Sequence, residues 1–403
     1  MPERSDGYDS GSEQSARGRS PTANRRRLIA AAASGVTGAL AGCTAVFGGD
    51  GGDGNEGGGG GGSGENDSND SGGSGDFEGE TLRVIVWSGN YADNFEETIK
   101  PMFEEATGAT LRVKRGWSEI LAKIKSAPED DPPYDVAITE GQFYYLGRQQ
   151  DLFFPIRTEN VPNLENVMSF YRDFRTTEFG VPVDGAPCTI IYRDDAEVDP
   201  TSWDDFATLQ ENSGNGVGID SGFWVFPMHA AAIGMDEKER AEEVYDESTH
   251  DELINYLDSW QISGWATSGE DIWQQFENGV IDAAQWYFEQ TEYDIDDHEN
   301  LSHHAPETNT GFVNHWTVVR GTDKRRLAEE FLNFLLAADT QTEWSKNSPT
   351  LFTNQNMEYA GDLGEQLPRN SDEASKIVFP DWAYLADHQK KFSNAFKEMQ
   401  TDS

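Results

Sequence analysis

Short apolar strands alternate with amphipathic helices near residues 82–139, and this alternation constrains the fold more than any other feature. Leu82–Trp87 is an apolar run typical of a strand buried on both faces. Ser88-Gly89-Asn90 forms a tight turn, and residues 93–108 carry apolar side chains at helical spacing. Thr110–Arg115 and Tyr134–Thr139 are two further strand patterns, separated by a short helix. This β-α-β-α-β order predicts an α/β fold with a doubly wound, mostly parallel sheet.

A second lobe is predicted where Pro, Gly and Asp interrupt the pattern at residues 178–185 and a new apolar strand follows. Gly311–Val319 has the pattern of a strand that crosses back, and an amphipathic helix follows it. The predicted boundaries are 80–182 for lobe 1, 183–312 for lobe 2, 313–350 for the return to lobe 1 and 351–403 for C-terminal helices that pack on the lobes.

The first 79 residues have the character of an export signal and a linker. Asn24–Ile29 contains three arginines and precedes a weakly apolar stretch that ends at Leu40-Ala41-Gly42-Cys43. These features resemble a twin-arginine signal and a lipobox, so residues 1–43 are the predicted signal and Cys43 the predicted lipidation site. A signal that is simply cut is the alternative.

Residues 44–79 are rich in Gly, Ser and Asp and have too few apolar side chains to offset the entropy of ordering, so they predict a disordered tether. No other segment of the sequence is long and apolar enough to span a bilayer. The expected location is the extracellular face of the cytoplasmic membrane, with a lipid anchor.

The charge balance excludes one class of partner. Acidic residues number 73 against 30 basic ones, which gives a formal net charge of −43. Phosphates would be repelled, so nucleic-acid binding is not expected. The acidic surface is better explained as an adaptation to very high salt, because at about 1 M salt the Debye length is only about 3 Å and self-repulsion is screened.

The sequence has no catalytic signature, since it lacks both a Gly-x-Ser-x-Gly elbow and a His-Glu-x-x-His motif. Only two cysteines occur, which excludes a Cys-based metal site, and Cys188 is predicted to be a small buried hydrophobe. His298, His303 and His304 could bind a metal, but solvated loop histidines are the favoured interpretation. Neither a cofactor nor a metal is therefore expected.

Several segments, in this order, resemble the extracellular solute-binding proteins of ABC importers, and specifically the spermidine/putrescine-binding branch. They are Val86-Trp87-Ser88 through Tyr91, Tyr134–Ile138, Gly180-Val181-Pro182 with Thr189–Tyr192, Thr201–Asp204, Phe276–Gly279 through Trp286, and Glu330–Leu336. The resemblance implies a two-lobed periplasmic-binding-protein-like fold, each lobe a mostly parallel sheet flanked by helices, with crossing strands between them. It also implies a receptor, expected to be a monomer, that closes on a small solute and delivers it to a permease with its ATPase.

The resemblance places Trp87, Tyr91 and Trp286 on aromatic positions of the site. Positions that are acidic in the family fall near Ser221 and Trp224 and on His315. Other acidic residues would therefore have to supply the negative charge, and the candidates are Glu140, Asp184, Asp220 and Glu289. The predicted ligand-binding residues are Trp87, Ser88, Tyr91, Glu140, Gln142, Asp184, Ser221, Trp224, Trp286, Glu289 and His315.

A polyamine or related organic cation is the favoured solute, because the resemblance is to the spermidine/putrescine-binding branch and because aromatic walls bind cations well. A thiamine-like compound, an amino acid or a metal chelate are alternatives for the same fold. A secreted enzyme would require turnover and a base or nucleophile in the cleft. A sensory receptor would pass its signal to a membrane partner instead of a permease.

Overall fold

The computed structural model describes residues 77–196, 200–209, 215–235 and 241–402. Cys43, the predicted signal and nearly all of the predicted tether lie outside these ranges. The described strands are β1 Thr81–Trp87, β2 Thr110–Gly116, β3 Val136–Thr139, β4 Val181–Arg193, β5 Gly216–Asp220, β6 Ile262–Ala266, β7 Ile281–Tyr287, β8 Leu301–His304, β9 Asn309–Val318, β10 Leu351–Phe352 and β11 Ile377–Val378.

The described α-helices pack around these strands. They are Asn90–Asn94, Lys100–Thr107, Ile120–Ser126, Gly141–Gln149, Ser169–Asp173, Trp203–Thr208, Val225–Met235, His250–Asp258, Gly269–Glu277, Phe288–Asp294, Arg325–Leu335, Ala338–Trp344, Leu363–Gln366, Ser371–Ala374 and Trp382–Asp402. Over the described ranges, no helix combines the length and apolarity that a bilayer crossing needs.

The described strands form one sheet of eleven strands, in which β9 and β4 are neighbours near the middle. In lobe 1, β2, β1 and β3 are parallel neighbours, and β9 pairs antiparallel with β3 and with β4. In lobe 2, β4 pairs antiparallel with β7, while β5 lies parallel to both β7 and β6. The α/β architecture is therefore confirmed, with a mixed sheet: every antiparallel pairing between the described strands involves β4 or β9, and the other pairings are parallel. β4 and β9 are the strands that cross between the lobes.

The first strand and helix form for the reasons that the sequence suggests. Leu82, Val84, Ile85 and Val86 in β1 are at most 1% exposed. Gly89 has a φ of +81°, so the turn is completed within one residue and the helix begins at Asn90 instead of the predicted residue 93. The helix continues through a π-helical turn and ends at a left-handed glycine at position 108.

The crossing strands approach each other very closely at two glycines. A Cβ atom on Gly185 would lie 2.1 Å from the carbonyl oxygen of Phe312, and one on Gly311 would lie 2.4 Å from that of Ala186. Any side chain would force the two backbones apart, so glycine is required at both positions. This tight segment connects the two lobes.

Each lobe has its own buried core. The lobe 1 core includes Phe95 and Phe331, and the lobe 2 core includes Trp260 and Trp273, two tryptophans predicted to be core from their helical spacing. Cys188 is fully buried in lobe 2, as predicted.

The C-terminal segment 351–403 was predicted to be helical, and this prediction is wrong at two places. β10 pairs with β4, and β11 pairs with β9. Strands of two residues have no periodicity, so their partners alone determine them. In the same way β3 begins at Val136 and not at Tyr134, and β9 runs through the predicted boundary at 312/313 because a crossing strand belongs to both lobes.

Candidate functional site

Several aromatic and acidic residues lie at the carboxyl ends of the parallel strands in both lobes. Trp87 ends β1, Glu140 follows β3, Asp220 ends β5 and helix Phe288–Asp294 follows β7. In open α/β sheets, ligands bind outside the carboxyl ends of the strands. The candidate site is therefore the region where these ends approach β4 and β9.

Asp184 on β4 is the centre of a buried polar network. Its carboxylate accepts hydrogen bonds from the Tyr91 hydroxyl (3.0 Å), from Nδ2 of Asn314 (2.7 Å) and from Nε1 of Trp316 (2.9 Å). Oδ1 of Asn314 in turn accepts from the indole of Trp87 (3.0 Å). Asp184 is fully buried, and burial raises its pKa to about 6 despite the three donors. The network connects the end of β1 to both crossing strands.

Glu289 is a second buried carboxylate beside this network. It is 7% exposed, and its Oε1 atom has no hydrogen-bond partner within the described residues. Burial, followed by the negative charge of Asp184, raises its pKa to about 8, while the Tyr293 hydroxyl acts in the opposite direction. In the described part of the chain, neither carboxylate forms an ion pair with a lysine or arginine. A buried carboxylate without a counterion favours either a proton or a cation.

Tyr293 connects the helix that carries Glu289 to lobe 1. Its hydroxyl accepts a hydrogen bond from Nδ2 of Asn94 (2.6 Å) and lies 3.0 Å from Oγ of Ser348. Asn94 lies in the first turns of the helix that follows β1, and Ser348 follows helix Ala338–Trp344. These contacts place helix Phe288–Asp294 against lobe 1 and help to bury Glu289.

An aromatic wall borders the network. The Trp87 ring stacks on Trp117 at 5.8 Å and 14° and contacts Phe143 at 6.3 Å. Trp117 is 50% exposed and was not predicted as a site residue, although its position directly after β2 is the signal that would have identified it. Ser88 is half-buried beside this wall, with its backbone N–H 3.3 Å from the Gly116 carbonyl.

Glu140 caps helix Gly141–Gln149, where its side chain accepts from the backbone N–H of Gln142 (3.0 Å). Burial raises the pKa of Glu140, and the positive charge of Arg175 opposes this rise. Arg175 was missed by the sequence analysis because it lies in a loop without periodicity. Its Nη2 donates to the Pro380 carbonyl (2.9 Å), and its Nη1 is buried without a partner among the described residues.

His315 lies on the other face of β9 from Asn314. It is fully buried and stacks on Tyr144 at 4.4 Å, under helix Gly141–Gln149. Burial, followed by the positive charge of Arg175, lowers the pKa of His315 well below its ordinary value, so the imidazole is neutral. The structure therefore does not bring His315 together with Asp184 and Glu289.

In lobe 2, Asp220 accepts from the backbone N–H groups of Gly222 (2.6 Å) and Phe223 (3.1 Å) and from the Tyr287 hydroxyl. Burial raises its pKa. Ser221 donates its hydroxyl to the Ala266 carbonyl at 2.8 Å. Both residues lie at the predicted edge of the sheet, but their side chains form hydrogen bonds with groups of lobe 2.

The two predicted lobe 2 tryptophans also pack inside that lobe. Trp224 stacks on Phe392 of helix Trp382–Asp402 at 5.2 Å and 20°. Trp286 donates its indole N–H to Oε1 of Gln290 at 2.9 Å and packs against Gly269. The predicted residues that come together are thus Trp87, Tyr91, Asp184 and Glu289, with Asn314 and Trp316 added by the structure.

Comparison with known proteins gives the family. The profile of the bacterial extracellular solute-binding protein family matches residues 98–363. The chain belongs to this family. No curated protein matches the sequence. Proteins of this type in ABC transporters bind small solutes and work with a membrane permease and its ATPase.

Solved structures with the same fold share little sequence with this chain. An ABC transporter substrate-binding protein from Bradyrhizobium japonicum USDA 110 has a TM-score of 0.66 at 16% identity, covering 79% of this chain and 99% of its own. The spermidine/putrescine ABC transporter substrate-binding protein PotD from Streptococcus pneumoniae has 0.65 at 14%, covering 80% and 99%. The binding protein AgtB from A. tumefaciens R10, in complex with agropinic acid, has 0.62 at 17%, covering 80% and 98%. They confirm the two-lobed periplasmic-binding-protein-like fold.

Proposed function

We propose that this solute-binding protein captures an organic cation with at least one N–H-bearing ammonium group, such as a polyamine, and delivers it to an ABC permease. The observation that carries the proposal is the pair of buried carboxylates, Asp184 and Glu289, without a basic partner in the described residues. An ammonium group placed between them would neutralise the buried negative charge and donate to Oε1 of Glu289.

The neighbouring groups favour this chemistry. Hydrogen bonds to a carboxylate from a charged donor are short and strong, and a quaternary ammonium without N–H groups cannot form them. The Trp87–Trp117 stack and Tyr91 supply aromatic surface for the methylene chain and for cation–π contact. A primary amine is thus preferred over a thiamine-like or quaternary cation.

An amino acid is the second candidate, because Nη1 of Arg175 is buried without a hydrogen bond within the described residues and would suit a carboxylate. This candidate is less favoured, since the charge of Arg175 already lies near Glu140 and near His315, which is on the other face of β9 from Asn314. Relatives of this fold are named for spermidine and putrescine or hold agropinic acid, so the fold by itself does not choose between the two candidates. The alternatives differ in one requirement: an amino acid would need both its ammonium and its carboxylate for binding.

Isothermal titration calorimetry at about pH 8 in concentrated KCl tests the proposal, with putrescine, spermidine, 4-aminobutanoate and choline as probes. We expect heat with putrescine or spermidine and none with choline. Glu289→Gln should weaken binding about 10- to 150-fold, since a hydrogen bond to a charged group contributes about 1.5–3 kcal/mol. Glu292→Gln, on the same helix but with its carboxylate 3.2 Å from Nε2 of His303, is the matched control and should bind as the wild type does.

Three outcomes would contradict the proposal. The cation would be excluded if neither amine gave heat or a thermal shift. Binding of 4-aminobutanoate alone would select the amino-acid alternative, and a Glu289→Gln variant with unchanged affinity would place the ammonium elsewhere.

We further propose that a lipid on Cys43 holds the receptor on the extracellular face of the membrane, with residues 44–79 as its tether and a monomer as the working form. The Leu40-Ala41-Gly42-Cys43 motif supports this, together with the extracellular character of the family.

A further inference from the structure

We infer that Glu289 holds a proton in the solute-free receptor and that an ammonium group of the solute displaces this proton on binding, so that capture is linked to pH. The inference deepens the proposed function and rests on it for the ammonium. Its geometric basis is the position of the Glu289 carboxylate, which is enclosed beside a second carboxylate and has one oxygen without a hydrogen bond.

The enclosure comes from segments on both sides of the site. Asp184 lies on crossing strand β4, whereas Glu289 lies on the helix that follows the lobe 2 strand β7. The contacts of Tyr293 with Asn94 and Ser348 hold this helix against lobe 1. Water is thereby kept from Glu289, and a carboxylate that loses water without gaining a counterion is driven to bind a proton.

The groups that face Glu289 cannot neutralise it. They are Asp184 from β4, Tyr91 from helix Asn90–Asn94 and Tyr293 from its own helix, and none of the three is a cation. Lys346 lines a surface groove together with Tyr293, but its ammonium is ion-paired with Glu343 at 2.5 Å. The amide of Asn94 and the hydroxyl of Ser348 are neutral and are engaged with Tyr293.

The exchange conserves charge and atoms. The neutral Glu289 carboxylic acid releases its proton to the solvent, and the ammonium, already protonated near neutral pH, takes its place as the cation beside the carboxylate. No bond other than O–H is broken. The affinity for the amine should therefore rise with pH until Glu289 is ionised without help, which is at about pH 8.

Calorimetry of putrescine binding in phosphate and in MES at about pH 6.5 measures the number of protons released, because the two buffers differ in ionisation enthalpy and neither contains a primary ammonium group that could compete for the site. We expect about one proton released per putrescine bound, and an affinity that rises about 100-fold from pH 6 to pH 8, of which Glu289 supplies about 50-fold and Asp184 about twofold. The Glu289→Gln variant should release no proton from this position, and only about a twofold rise from Asp184 should remain. Glu292→Gln should behave as the wild type does.

Potentiometric titration of the solute-free protein, as wild type minus Glu289→Gln, gives a readout that does not depend on any solute. We expect a difference curve for one proton with its midpoint near pH 8. A midpoint at the ordinary value of a glutamate would overturn the inference, and so would equal binding heats in both buffers while putrescine binds. Absence of putrescine binding together with a midpoint near pH 8 would refute the proposed solute and leave the proton on Glu289 supported.

Discussion

Replacement of Asp184 by Asn should change the stability of the protein in a way that depends on pH. The amide oxygen of Asn can accept the hydrogen bonds from Tyr91 and Asn314, which both reach the same carboxylate oxygen of Asp184. The amide nitrogen would then face the Trp316 indole N–H, which now donates at 2.9 Å. Two donors cannot pair, and an unsatisfied buried donor costs about 1–3 kcal/mol.

The removed charge acts in the opposite direction. Burial raises the pKa of Asp184 from 3.8 to about 6, so the folded protein holds a proton here that the unfolded chain has lost. A raised carboxyl pKa means that stability falls as the pH rises through this interval, by about 3 kcal/mol in all and by about 1.4 kcal/mol between pH 5 and pH 7.5. The stability of the Asn variant lacks this pH dependence. Its free energy of unfolding should therefore fall furthest below that of the wild type at pH 5, and the difference should be about 1.4 kcal/mol smaller at pH 7.5.

Urea unfolding of both proteins at fixed high KCl, at pH 5 and at pH 7.5, measures this difference. Asp271→Asn is the control, because the pKa of Asp271 is lowered below 3.8 by hydrogen bonds, first from the Thr267 backbone N–H and then from its hydroxyl. Asp271 is therefore ionised in both the folded and the unfolded protein at pH 5 and at pH 7.5, so the stability that this variant loses should be the same at the two pH values. The reasoning would be refuted if the free energy of unfolding that Asp184→Asn loses relative to wild type were constant or larger at the higher pH. Such a result would mean that ionisation of Asp184 does not destabilise the folded protein.

Two further predictions concern the crossing strands and the anchor. Gly185→Ala should lower the free energy of unfolding by about 1–3 kcal/mol, because its Cβ would lie 2.1 Å from the Phe312 carbonyl, whereas Gly364→Ala, with no atom nearer than 3.5 Å, should leave the melting temperature unchanged. Equal melting temperatures for the two variants would contradict the close approach of the strands. Cys43→Ser should move the full-length protein from the detergent phase to the aqueous phase in Triton X-114 partitioning, and retention in the detergent phase would argue against lipidation at this residue.

The sequence was informative wherever one segment determines its own structure. The strand Leu82–Trp87 and the helix that follows it have strong periodicity, and they lie where that periodicity predicts, with the helix start displaced to Asn90. Trp260 and Trp273 lie on apolar stripes and are buried in the lobe 2 core. Local spacing could not reveal that Trp224 stacks on Phe392, a residue in a helix near the end of the chain.

The candidate site shows the same limit. Asp184 and Glu289 could be proposed as sources of negative charge, but Asn314 and Trp316, which bind Asp184, are 130 and 132 residues away from it. From the sequence alone, an Asn or a Trp in a predicted strand does not indicate that its side chain will donate a hydrogen bond to a carboxylate. Arg175 was missed because a cation in a loop has many ordinary interpretations, and only its position beside Gly141 and Pro380 makes it notable.

The position of the carboxylate pair matters more for the proposed function than the number of carboxylates. Asp184 lies on a strand shared by both lobes, whereas Glu289 lies on a helix that follows a lobe 2 strand and contacts lobe 1 through Tyr293. A cation between them is attracted by both charges only when this helix lies against lobe 1. A solute shifts a conformational equilibrium only by its difference in affinity for the two states. Two carboxylates on the same lobe would bind the cation equally well before and after closure, whereas a pair divided in this way makes binding of the cation favour the closed form.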